Sequence, residues 1–212
     1  MAFRIGVLAL QGDFNAHLQA FQNAGADACL IKKASELLSI DALALPGGES
    51  TAMLKLMEPE LKQTLRQRIS RGLPTFATCA GVILLAHHVS NPDQESLDLI
   101  DIDVLRNAYG RQVDSFVEPA LEWSSVGREY LLNLPDGSGL ESGFQDVEGV
   151  FIRAPRITRV GPKVAVLLNR GSDPVMVRSG NIWAITFHPE LSQQLTVQKL
   201  FLSAALLPPR MN

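Results

Sequence analysis

The strongest constraint in this chain is a set of short apolar runs with almost no polar alternation: Phe3 to Leu10, Ala28 to Ile31, Ala42 to Leu45 and Pro74 to Ala77. A strand with one face in water alternates apolar and polar residues, so runs like these need cover on both faces. A parallel sheet between two layers of helices supplies it. The first run ends at Gln11-Gly12, and Phe14, Leu18 and Phe21 then recur at helical spacing until Gly25. The third is followed by a helical stretch from about Thr51 to Arg71, interrupted near Pro59 and ended by Gly72. The opening half reads as βαβαβ.

Beyond Asn91 the pattern changes to β-branched or alternating segments at Gly149 to Ala154, Val164 to Leu168, Val175 to Arg178 and Ile182 to Phe187. Turn signals at Arg170 to Pro174 and Ser179 to Asn181 separate the last three and predict antiparallel strands. A final helix is expected over about Leu195 to Leu206, closing on Pro208-Pro209. Glu122 to Gly143 reads as an exposed excursion, too short to be a linker. The expected architecture is α/β: a flavodoxin-like three-layer sandwich with a mostly parallel central sheet, extended by antiparallel strands in the C-terminal half. Residues 1–212 read as a single domain.

Composition narrows the function. A net charge of -3, with no long Lys/Arg cluster, gives no electrostatic footprint for nucleic acid or an anionic membrane. No segment approaches the roughly twenty apolar residues that span a bilayer, and the N-terminal FRIGVLALQGD reads as a strand rather than a signal peptide. The two cysteines, Cys29 and Cys79, lack disulfide or zinc spacing, so reduced thiols in a cytoplasmic protein fit best.

Unpaired cysteines ordinarily serve as small core residues, and Cys29, within ACLI, fits that role. Cys79 differs. It follows an apolar strand in Thr78-Cys79-Ala80-Gly81, and a helix is expected from about Gly81, which places it on a sharp strand-to-helix turn. There the helix N-terminus favours a thiolate, and the amide of Ala80 points where an oxyanion would form. Of the four histidines, His87 and His88 are expected on the following helix, about 12 to 14 Å from Cys79. His17, between apolar positions of the first helix, reads as an interior or surface histidine rather than a catalytic one. His188 follows the strand IWAITF directly, and Pro189 ends that strand, so its imidazole emerges where α/β sheets carry their chemistry. Glu190 is placed to bond the far ring nitrogen, as the third member of a triad does. A third loop, Leu45-Pro-Gly-Gly-Glu-Ser-Thr51, offers two glycines whose backbone can approach a ligand; by itself it is equally a tight turn capped by Ser50 or Thr51.

Taken together, T-C-A-G, F-H-P-E and P-G-G-E-S-T resemble the class I (triad) glutamine amidotransferases. GVLALQGDFNAH, LPGGEST, RNAYGRQVDSF and GVFIRAPRI are similar to the glutaminase subunits of pyridoxal 5′-phosphate synthases and spread over nearly the whole chain. The chain departs from that pattern at Ala77, where glycine is usual, at Tyr109, where phenylalanine is commoner, and in a longer Trp123 to Gly143 region. The resemblance implies that Cys79 attacks the side-chain amide of L-glutamine, His188 shuttles protons and Glu190 orients His188. Gly48, Glu49, Ser50, Arg106, Ile152 and Arg153 would line the glutamine pocket, with Arg106 suited to the α-carboxylate and Arg153 acting through side chain or backbone. The implied partner is a (β/α)8-barrel synthase subunit that combines the ammonia with ribose 5-phosphate and glyceraldehyde 3-phosphate. No cofactor or metal is implied.

Coupling to that partner suggests that the Gly47-Gly48 peptide reorients, Gly48 completing the oxyanion hole with Ala80, and that Gln11 takes part in the activation. Three alternatives stay open on the residues alone: a triad glutaminase of another pathway, such as imidazole glycerol phosphate synthesis; a cysteine hydrolase acting on other amides; and a non-catalytic subunit.

Overall fold

Alternate residues of the central strands pack into two separate apolar layers, one on each face of the sheet. The computed structural model describes residues 3–110, 115–134 and 146–206. In β3 (Ala42–Leu45), Leu43 and Leu45 enter one layer while Ala42 and Ala44 enter the other. β12 (Ile182–Ile185) divides likewise, Ile182 and Ala184 against Trp183 and Ile185. All of these side chains are buried, which is why the sequence shows no polar alternation here.

The parallel part of the larger sheet runs β2 (Asp27–Ile31), β1 (Arg4–Leu8), β3, β4 (Thr75–Thr78) and β12. From β12 it continues antiparallel through β11 (Asp173–Ser179), β10 (Ala165–Arg170), β7 (Phe116–Trp123) and β8 (Val147–Phe151). A smaller sheet joins β5 (Ala86–Ser90), β6 (Ile100–Leu105) and β9 (Arg156–Val160). The mixed α/β architecture matches the expectation from sequence, with the parallel strands forming one side of the sheet from the β2 edge to β12 and the antiparallel strands of the C-terminal half extending it to the β8 edge.

Helices α1 (Phe14–Asn23) and α6 (Thr196–Ala205) contribute to one apolar layer, where Phe76 meets Phe21 and Phe201 edge-on at 5.2 Å each. Helices α2 (Ser50–Leu56), α3 (Pro59–Ser70) and α4 (Ala80–Leu85) contribute to the other. Leu61, Leu65 and Ile69 form the buried stripe of α3 at intervals of one turn. Pro59 opens α3 at a position where its missing N–H costs nothing, which accounts for the interruption. No helix among the described residues is long and apolar enough to cross a membrane.

Two expectations need correction. His87 and His88 do not lie on the helix after Cys79: α4 ends at Leu85, and Ala86 turns extended so that the segment pairs with β6. That tertiary pairing overrides the apolar run that read as a longer helix, and His87 instead bonds Asp98 at the surface, 2.8 Å away. The excursion at Glu122 to Gly143 is structured over its first part. Leu121 and Trp123 are buried in β7, and α5 (Ser125–Leu132) follows, with the Ser124 hydroxyl accepting the Gly127 N–H at 2.8 Å. Residues 135–143 lie outside the described residues, as do Pro208 and Pro209 and the Arg111 to Asp114 part of the RNAYGRQVDSF string.

Candidate active site

The carboxyl ends of four neighbouring parallel strands deliver one loop each to the same cavity. β1 leads to Gln11, β3 to Gly47-Gly48-Glu49, β4 to Cys79 and β12 to His188. This edge is where open α/β sheets form their binding crevice. The cavity has a volume of about 340 Å³, within the range of small-molecule sites, and is lined by residues from all four loops.

Cys79 sits between β4 and α4 with φ 44° and ψ −102°, a left-handed conformation unusual for a residue with a side chain. Its N–H donates to the Ile185 carbonyl at 2.9 Å, extending the β4–β12 pairing up to the turn. Gly81 allows that turn, because a β-carbon there would collide with the Leu45 carbonyl oxygen. Ala80 opens α4, where the first N–H groups lack intrahelical partners.

His188 is held by its own N–H, which donates to the Val150 carbonyl at 2.8 Å, and by Pro189, which starts a 3₁₀ turn over Pro189–Leu191. Its Nδ1 lies 2.7 Å from Oε1 of Glu190, and both side chains are almost fully buried. Next to a carboxylate Nδ1 carries the hydrogen, which leaves Nε2 for the cavity. Burial disfavours charge on His188, but its hydrogen bonds and charge interactions with Cys79 and Glu190 prevail and raise its pKa to about 10. For Glu190, burial alone would raise the pKa, yet His17 and His188 hold it well below the ordinary carboxylate range. A thiol, an imidazole and a buried carboxylate arranged in this way can carry out nucleophilic acyl transfer.

All the residues expected to bind substrate line the cavity: Gly48, Glu49, Ser50, Arg106, Ile152 and Arg153, together with Gln11, Cys79 and His188. Several are engaged with one another. The Glu49 carboxylate, rather than Ser50 or Thr51, caps α2 by accepting the N–H groups of Thr51 and Ala52 at 3.2 and 2.7 Å. It also meets Nη2 of Arg106 at 3.1 Å. Despite burial, the capping bonds and Arg106 lower the Glu49 pKa. The Ser50 hydroxyl donates to Gln94 at 2.8 Å. Gln11 Oε1 accepts the Glu49 N–H at 2.6 Å, and a β-carbon on Gly48 would stand 2.5 Å from the same oxygen. Arg153, at φ 48°, donates from Nη2 to Oδ1 of Asn107 at 3.3 Å.

Two further cavity residues, Ile83 and Asn107, escaped the sequence reading, although Asn107 is next to Arg106 and its φ of 52° suits asparagine. His17 is interior, as one of its readings had it, but its Nε2 lies 3.0 Å from the Thr78 hydroxyl and 3.3 Å from Oε1 of Glu190. The signal was present: it occupies the apolar stripe of α1, and a buried polar group demands a partner. Among the described residues no cluster of His, Cys, Asp and Glu is arranged to hold a metal ion.

Known proteins are similar to this chain over most of its length. The PdxT subunit of pyridoxal 5′-phosphate synthase from Thermotoga maritima is 44% identical over 200 residues, covering 94% of this chain and 97% of that one. The corresponding subunit from Koribacter versatilis is 45% identical over 199 residues, 94% of each. A crystal structure of a glutamine amidotransferase superposes with a TM-score of 0.81 at 40% identity, covering 96% of this chain and 99% of the other. Residues 7–206 match the description of one family, and the chain therefore belongs to the SNO glutamine amidotransferase family.

Proposed function

We propose that residues 1–212 form one glutaminase domain, the ammonia-supplying subunit of a pyridoxal 5′-phosphate synthase. It hydrolyses L-glutamine to L-glutamate and ammonia, and hands the ammonia to a (β/α)8-barrel subunit that combines it with ribose 5-phosphate and glyceraldehyde 3-phosphate. The observation that carries the chemistry is the 2.7 Å His188–Glu190 pair facing the cavity that also holds Cys79. In this reading the Cys79 sulfur attacks the side-chain amide carbon of glutamine, and the negative charge on the carbonyl oxygen meets the N–H groups of Gly48 and Ala80. His188 donates the Nε2 proton to the departing nitrogen, releasing ammonia and leaving a thioester. His188 then takes a proton from water, the hydroxide adds to the thioester, and glutamate leaves as the thiolate returns. Glu190 keeps the imidazole in its Nδ1–H form throughout.

Arg106 is suited to the substrate α-carboxylate, for which the Glu49 carboxylate holds the place, and Arg153 and Asn107 line the same cavity. Gln11 ties the first loop to the Glu49 amide, so a synthase subunit docking near Gln11 would reset the Gly48 peptide and complete the oxyanion site. The two free thiols fit a reducing cytoplasm. The test is glutamate release by wild type and Cys79→Ala, with and without the synthase subunit, together with a panel of other amides. Turnover that survives in Cys79→Ala, or that prefers another amide, refutes the proposal.

A further inference from the structure

Glu190 has a second histidine partner, from an element far from the triad in sequence. His17 has no exposed surface, lies on the buried stripe of α1 with Ala20 and Phe21, and meets the Phe76 ring edge-on at 6.3 Å. Its Nε2 is 3.3 Å from Oε1 of Glu190, the same oxygen that accepts from Nδ1 of His188. It is also 3.0 Å from the hydroxyl of Thr78, the residue before Cys79. An Nε2 lone pair facing a buried carboxylate would be repelled, so Nε2 carries the hydrogen and the Thr78 oxygen shares it as acceptor. Nδ1 has no hydrogen-bond partner among the described residues, and a hydrogen there would be a buried donor left unpaired. The network therefore places a donated hydrogen on Nε2, facing Glu190 and Thr78.

The carboxylate needs this second donor. Oε2 of Glu190 is buried without a partner among the described residues, so Oε1 alone fixes the rotation of the group. We propose that His17 is a positioning residue for the reaction: its Nε2–H holds the Glu190 carboxylate so that Glu190 holds His188 in line with Cys79. Through Thr78 the same ring ties the strand that carries the nucleophile to the turn that carries the base. The inference rests on the glutaminase reading above.

Three variants test it. Gln places a side-chain N–H near the position of Nε2, whereas Asn reaches only as far as Nδ1, and Leu supplies none. With the synthase subunit present and active sites counted by covalent titration, His17→Leu and His17→Asn should lower kcat about ten- to a hundredfold, the worth of one hydrogen bond to a charged group. KM should not change, and His17→Gln should retain most of the wild-type kcat. Gln and Asn impose similar burial costs, so matched melting temperatures separate positioning from folding. Equal losses in Gln and Asn, or a wild-type kcat in His17→Leu, overturn the proposal. Cys79→Ala is the control: if it keeps turnover, the glutaminase reading and this inference fall together. If it is inactive while His17→Leu is not, only the inference falls.

Discussion

A β-carbon on Gly47 would stand 2.5 Å from Cε1 of His188 and 3.4 Å from Cβ of Cys79. The first glycine of the pair is thus a spacer against the imidazole, whereas the second has Gln11 as its neighbour. Gly47→Ala should displace the His188 ring and lower glutamine turnover about a hundredfold, the cost of an ångström-scale misplacement. The melting temperature should fall far less than the activity does. Wild-type turnover in this variant would mean that the loop shifts instead of the ring.

The two thiols should behave differently. Burial and nearby acidic groups push the Cys29 pKa up, against a smaller lowering by Arg4. Cys79 faces the cavity beside an imidazole. A glutamine-like electrophile should label Cys79 and spare Cys29, and His188→Asn should slow that labelling. Peptide mapping after partial reaction reads out both.

Charge on His188 sets a pH window. Its folded pKa of about 10 lies above the ordinary value of 6.5, so the stability it gains from Cys79 and Glu190 is fully present below about 6.5 and is lost as pH rises through about 10. The melting-temperature advantage of wild type over Glu190→Gln should shrink across that interval. In NMR titrations the His188 proton should leave near pH 10 in wild type and at lower pH in Glu190→Gln. An advantage that grows with pH would contradict the pairing.

Arg106 supplies a test of the pocket. It is mostly buried and bound to Glu49 and Thr51 rather than free in solvent. Arg106→Ala should raise KM for glutamine more than it lowers kcat, since it removes binding shared by ground and transition states. Arg106→Lys should recover only part of the loss, because an ammonium cannot form the paired contact of a guanidinium. Steady-state kinetics with the synthase subunit present separates the two constants.

The parallel half of the fold was legible because burial on both faces removes polar residues from β3 and β12, and such runs admit few structures. Cys79, His188 and Glu190 were legible because each is fixed by its neighbours in sequence: a strand, a turn of small residues, a proline. His17 and Asn107 were harder to assign because their roles depend on contacts far along the chain, with Glu190 and Arg153. His87 and His88 were misplaced because α4 is cut short by strand pairing with β6, a long-range effect that an apolar run does not reveal. The Glu49 cap had a similar cause: Ser50 and Thr51 are good capping residues in isolation, but the helix starts one residue earlier.

The order of the strands has a consequence for the protein's biogenesis. β12 enters the sheet beside β4, with Ala184 opposite Ala77, so the nucleophile and its base come from distant parts of the chain. A polypeptide emerging from the ribosome carries the Cys79 thiol long before residue 182 has been added, and until then it has neither His188 nor Glu190. The half-made protein is chemically unarmed. It becomes an enzyme only when the last of its parallel strands slots in between β4 and β11.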